Sequence, residues 1–156
     1  MEAFIWQGNP RRWHSSREMD LDIAHESKYI YWSTPILRDQ IQVGDKAYMW
    51  RAGKEPRGII ATGTVEEPPQ DRLDHKSQFK HPERLYPGEE AASSDWKTGI
   101  SIIEFRLTPG DRMLTVGMLR SVCPDLNILR NPRGTVFRVN AEQYQKIEEL
   151  WAKTRR

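Results

Sequence analysis

The stretch Lys28–Glu66, KYIYWSTPILRDQIQVGDKAYMWRAGKEPRGIIATGTVE, decides the fold. Tyr29–Trp32 reads as a strand, and Lys46–Arg51 and Gly58–Val65 as two more, rich in β-branched and aromatic residues. The turn Ala52–Arg57 carries the glycine and proline that a hairpin needs. Thr34-Pro35 reads as an N-cap followed by proline at the first helical position; Ile36, Leu37 and Ile41 then predict a short amphipathic helix ending before Gly44-Asp45. Trp32 and Trp50 stand at the ends of the first two strands, and Arg51, Lys54 and Arg57 crowd the turn that follows. Aromatics beside cations make a candidate mouth for a flat, electron-rich ring next to a phosphate.

Outward from this stretch the chain continues to alternate. Ala3–Gln7 is a predicted strand closed by the turn Gly8-Asn9-Pro10, and 16–26 reads as a weak helix started by Ser15, Ser16 and Glu18. From Glu66 to Asp95 the pattern dissolves into prolines and acids, so a long acidic loop excursion is expected over 66–98. Ile100–Thr108 is a strong predicted strand, Leu114–Cys123 a short helix and Val136–Val139 another strand. Asn140 with Gln143 forms a capping box for a last helix that docks through Tyr144, Ile147, Leu150 and Trp151. Trp6 and Trp151 are assigned to the core, and Trp96 to the rim of the Ile100–Thr108 strand. The whole, residues 1–156, reads as a single α+β domain around a curved sheet or barrel.

Composition narrows the function. The 156 residues suffice for a real core, and no apolar run approaches the roughly 20 residues that span a bilayer. The opening MEAFIWQGNP does not read as a signal peptide, and the lone Cys123 suits a reducing cytoplasm as a buried structural thiol. The net charge of +2 is segregated: residues 66–95 hold eight acids and four bases, and residues 112–156 nine bases and four acids. A basic half can bind a polyanion. Six tryptophans exceed what a core this size needs, which points to recognition. No phosphate-binding glycine loop or hydrolase motif appears, and His14, His25, His75 and His81 do not fall at metal spacing. Neither a cofactor nor a metal nor a catalytic constellation is expected, so binding is favoured over catalysis.

The order of several pieces resembles the EVE domain, a PUA-like relative of the YTH readers of N6-methyladenine. These are Asn9 and Trp13 after the first strand, Trp32-Ser33-Thr34-Pro35, Val43-Gly44-Asp45 before Lys46–Trp50, the Gly58–Val65 strand and the GTVFRVNAEQYQKIEEL ending. The G-x-K-x-x-E-x-R signature of ASCH relatives is missing, because Ala-Tyr-Met follows Lys46. The resemblance implies a PUA-like pseudo-barrel of about six mostly antiparallel strands with peripheral helices. It also implies a non-enzymatic reader that holds a flipped, modified base in an aromatic cage, such as a methylated or hydroxymethylated cytosine or N6-methyladenine. Carried onto this chain, Trp32 matches the cage tryptophan, and Trp50 is expected as a second wall. Ser33 and Asn9 are expected at the base edge and Trp13 at the lining. Arg51, Lys54, Arg57, Arg11 and Arg12 are candidate phosphate contacts. The expected partner is nucleic acid, modified DNA ahead of RNA, with any cleavage left to a partner nuclease or NTPase. The alternatives are an RNA-binding PUA-like module in RNA modification or translation, and a small PUA-like hydrolase or nuclease.

Overall fold

The computed structural model describes residues 1–8, 28–53, 55–71 and 96–155. The expected helix over 16–26 and residues 72–95 lie outside these. Among the described residues there are seven strands: β1 Ala3–Gly8, β2 Tyr29–Ser33, β3 Lys46–Arg51, β4 Gly58–Asp71, β5 Trp96–Phe105, β6 Leu114–Thr115 and β7 Val136–Val139. The described helices are α1 Val116–Val122, α2 Asn127–Arg130 and α3 Ala141–Lys153.

The strands join one mixed sheet in the order β2-β5-β4-β3-β1-β7, with β6 paired to β4. Only β1 and β3 pair in parallel; the other recorded pairs are antiparallel. The sheet curls strongly. Trp6 Nε1 on β1 donates to Thr34 Oγ1, just past β2, at 3.2 Å, although three strands separate β1 from β2 in the sheet order. Curling puts two apolar clusters on its two faces. The inner one draws Phe4, Trp6, Ile30, Met49, Ile60, Ile100 and Val136 from six strands and includes no residue of the described helices. The outer one packs Ile5, Tyr48, Trp50 and Ile59 against Leu119, Ile147 and Trp151 of the helices. The described helices thus lie on the periphery, as expected, and the PUA-like α+β architecture holds, with a seventh short strand.

The long strand β4 allows the bend. Its pairing with β5 shifts register after Thr62, after Val65 and after Glu67. At Gly63 a Cβ would sit 2.3 Å from the Ser101 carbonyl oxygen, so a side chain there would push the two strands apart. The strand margins correct the sequence reading. Residues 66–71 and 96–98, read as loop, belong to β4 and β5. The misleading signal was Pro68-Pro69, which falls in the register break between Glu67 and Gln70, where the ladder needs no donor.

Two helix expectations also change. No helix forms over 36–41: Leu37 adopts φ 61°, in the left-handed region, and residues 38–40 turn. The Thr34 hydroxyl is occupied by Trp32, Thr98 and Trp6 instead of capping a helix. Leu114 and Thr115 form β6, and the Thr115 hydroxyl then caps α1 through the Met118 amide at 3.4 Å.

The C-terminal helix follows its sequence signals. Asn140 Oδ1 accepts from the Gln143 amide at 2.8 Å, and Gln143 Oε1 accepts from the Asn140 amide at 3.0 Å. Replacing Asn140 by alanine is expected to cost about 1 kcal/mol, read as a lower urea midpoint with an unchanged slope. Ile147 and Trp151 are buried, and Cys123 is a buried thiol, raised in pKa by that burial.

Candidate functional site

Alternation along each strand assigns side chains to faces. On β2, Ile30 is in the inner cluster and Trp32 packs against it half-buried, so Tyr31 and Ser33 point the other way. On β5, Thr98, Ile100 and Ile102 share the inner face, and Trp96 continues that row. Trp32 pairs with Thr98, which makes Trp96 its diagonal neighbour on the same face. The strand end is locked. Thr34 and Thr98 are fully buried with their hydroxyl oxygens 2.5 Å apart, Thr34 Oγ1 donates to the Trp32 carbonyl at 3.0 Å, and Trp6 donates to Thr34. The Thr34 amide donates to the Trp96 carbonyl at 2.8 Å, and the Arg38 guanidinium lies 4.7 Å from the Trp96 ring centroid.

Across the curled sheet, Met49 of β3 is inner and Trp50 outer, which returns Arg51 to the inner side. Arg51 ends β3 between Gly8 and Gly58, neither of which has a side chain to meet it. Its Nε is buried and has no hydrogen-bond partner, and no ion pair of Arg51 is found among the described residues. The Trp6–Thr34 bond ties the two halves together, since Trp6 lies two residues before Gly8 on β1.

This arrangement sorts the predicted site residues. Trp32 and Arg51 share the inner face of the curled sheet. Trp50 is not brought to Trp32: it is buried in the outer cluster against Ile59, Leu114 and Val116, as a wall between sheet and helices. Ser33 is on the face opposite Trp32, and the buried hydroxyls beside the tryptophan are those of Thr34 and Thr98. Arg57 is turned toward Glu55, with Nε 3.2 Å from Oε1. Asn9, Arg11, Arg12, Trp13 and Lys54, with all four histidines, lie outside the described residues. Trp96 was legible as a rim residue; its place beside Trp32 needed the β2–β5 register.

A second cleft, of about 440 Å³, opens between Glu104–Leu107, the 110–112 turn and Arg155. Its centre is structural. The buried Arg106 donates from Nε to Glu104 at 2.9 Å, from Nη1 to Thr154 Oγ1 at 2.9 Å and from Nη2 to the Trp151 carbonyl at 3.0 Å. Its guanidinium also stacks 3.7 Å from the Trp151 ring centroid. Burial pushes the Glu104 carboxyl up, but the hydrogen bonds from Arg106 and Trp151 and the charges of Arg106 and Arg155 outweigh it. The pKa therefore falls below its ordinary 4.5. A lowered folded-state pKa favours the fold while the carboxylate is ionised. That contribution is full above about pH 4.5 and lost as pH falls below it. Glu104→Gln is expected to flatten the acid side of a plot of urea midpoint against pH.

Among the described residues no group of His, Cys, Asp or Glu is placed to hold a metal ion, and no helix is long and apolar enough to cross a membrane.

The curled mixed sheet with peripheral helices defines a PUA-like domain. Within that class the chain belongs to the EVE domain family, whose model matches residues 24–150. A hypothetical protein from Leishmania major superimposes with a TM-score of 0.66 at 16% identity, over 99% of this chain and 98% of that one. Human THYN1, solved in complex with 5-methylcytosine-containing DNA, gives 0.65 at 10% identity, over 100% and 99% of the chains. An ASCH protein from Zymomonas mobilis gives 0.55 at 9% identity, over 96% and 99%. At these identities each is a likeness of fold. No curated protein matches the sequence.

Proposed function

We propose that this chain is a non-enzymatic reader that takes a modified nucleobase out of a nucleic acid strand, with DNA favoured over RNA. The observation that carries the reading is the half-buried Trp32 on the inner face, diagonal to Trp96 and fixed at its backbone by Thr34. An indole held this way offers a flat face without further ordering, and base–aromatic stacking contributes roughly 1–3 kcal/mol per base. Removing a base from its stack costs a few kcal/mol, so one indole alone does not suffice. Trp96 supplies the second aromatic surface in place of Trp50. Family membership supports the reading, as does a fold neighbour bound to methylcytosine DNA. The polar groups described at the mouth are hydroxyls, indoles and guanidiniums, which suit binding better than proton transfer at neutral pH. Any strand cleavage then falls to a partner nuclease or NTPase.

The test compares fluorescence anisotropy of short DNA and RNA strands, single and double. Each carries one 5-methylcytosine, 5-hydroxymethylcytosine, N6-methyladenine or unmodified base. A methyl group adds roughly 0.8 kcal/mol by transfer alone, a few-fold in affinity. A shaped pocket is expected to exceed that for one modification, with tighter binding to DNA. Preference for RNA through the 2′-hydroxyl would move the function to RNA recognition. Equal affinity for all strands, abolished by salt, would leave only a basic surface.

A further inference from the structure

We infer that Arg51 is an anion site inside the mouth, and that it takes a phosphate of the same nucleotide whose base meets Trp32. The inference rests on the base-reading proposal for the identity of its ligand, and on Arg51 alone for the anion. Of the five cations that were candidate phosphate contacts in the sequence, Arg51 and Arg57 are among the described residues, and their surroundings differ. Arg57 is engaged by Glu55, whereas Arg51 has a buried Nε with no acceptor. A buried guanidinium N–H without a partner destabilises the free protein, and few such groups persist in folded chains without a use. Gly8 and Gly58 flank Arg51 in the sheet, so neither of its strand partners carries a side chain that could supply the acceptor. On the Gly58 side a Cβ would lie 1.9 Å from the Leu114 carbonyl oxygen, so β6 crowds that flank, and strand alternation puts the Arg51 side chain on the inner face. The Nε–Nη edge of a guanidinium is a fork that matches two oxygens of a phosphate. The mouth therefore reads base and phosphate together, and its minimal ligand is a nucleotide rather than a nucleoside.

The experiment uses the full chain, with Arg51→Gln and Arg51→Lys. Calorimetric titration compares the deoxynucleosides of 5-methylcytosine, 5-hydroxymethylcytosine and N6-methyladenine with their 5′- and 3′-monophosphates. Thermal melting is followed with and without inorganic phosphate. One monophosphate is expected to bind roughly tenfold or more tighter than its nucleoside. That advantage disappears in Arg51→Gln and is not regained in Arg51→Lys, which keeps the charge and loses the fork. Phosphate raises the melting temperature of the wild type and not of Arg51→Gln, and without phosphate Arg51→Gln melts no lower than wild type. If phosphate stabilises through Arg51 but no modified base is bound in any form, the anion site stands and the base reading fails. If modified oligonucleotides bind through Trp32 and Arg51→Gln binds them equally well, the base reading stands and the anion site is overturned. A lower melting temperature for Arg51→Gln without any phosphate effect would make Arg51 a structural residue and overturn the inference as well.

Discussion

Trp32→Ala is expected to lower affinity for the preferred modified oligonucleotide by about 5- to 150-fold, the equivalent of the roughly 1–3 kcal/mol of one stacked base. Discrimination against the unmodified strand should shrink with it, because in the proposed site the modified ring lies on the indole face. The weak, salt-sensitive binding common to all strands should remain, since it arises from surface cations. The fold should survive: Trp32 is only half-buried at the end of β2, and Ile30, Ile100 and Ile102 keep the inner cluster closed beneath it. Trp50→Phe is the control. It perturbs the outer cluster and some stability, yet leaves discrimination intact, because its side chain is on the other face of the sheet. Competition anisotropy with modified and unmodified strands measures both variants. Discrimination lost in Trp50→Phe and kept in Trp32→Ala would reverse the assignment of faces.

Trp151→Ala is expected to have the largest effect on stability, about 3–5 kcal/mol. The ring is buried between α3 and the sheet, and its loss leaves a cavity in the outer cluster. It also removes the 3.0 Å hydrogen bond to Glu104 Oε1 and the surface on which Arg106 stacks. Total stabilities of small domains are about 5–15 kcal/mol, so the variant should populate unfolded chain on warming. Trp151→Phe keeps most of the apolar contact and loses the indole donor, and should cost clearly less. Urea unfolding followed by far-ultraviolet circular dichroism gives both values. A small effect for the alanine variant would mean that α3 is held elsewhere, for instance by the 2.8 Å bond from the Tyr48 hydroxyl to Glu148.

The strands were legible because β-branched and aromatic runs leave few other options for Ile100–Phe105 or Lys46–Arg51. The last helix was legible because its cap is local: Asn140 and Gln143 need no distant partner. The turn at 36–41 was not, because Thr34 as an N-cap and Thr34 as a buried hydroxyl shared with Thr98 are written with the same residue. The geometry of the candidate site was half legible for a related reason. Trp32 and Trp50 each end a strand, but both faces of β3 are apolar, Ala47 and Met49 on one and Tyr48 and Trp50 on the other. With both faces buried, alternation does not say which side faces the inside of the curled sheet. That follows only from the curl that brings Thr34 to Trp6. The same curl turns Arg51 inward and Ser33 outward.

The most direct measurement follows the six indole N–H signals of ¹⁵N-labelled, assigned protein while the preferred modified oligonucleotide is added. If the base enters the mouth between β1, β2 and β5, the Trp32 and Trp96 signals shift with the binding curve, and Trp6 responds through its bond to Thr34. The Trp50 and Trp151 signals, on the helix side of the sheet, stay in place. Shifts at Trp50 with Trp32 and Trp96 unmoved would contradict the inner-face site and put the ligand elsewhere on the domain.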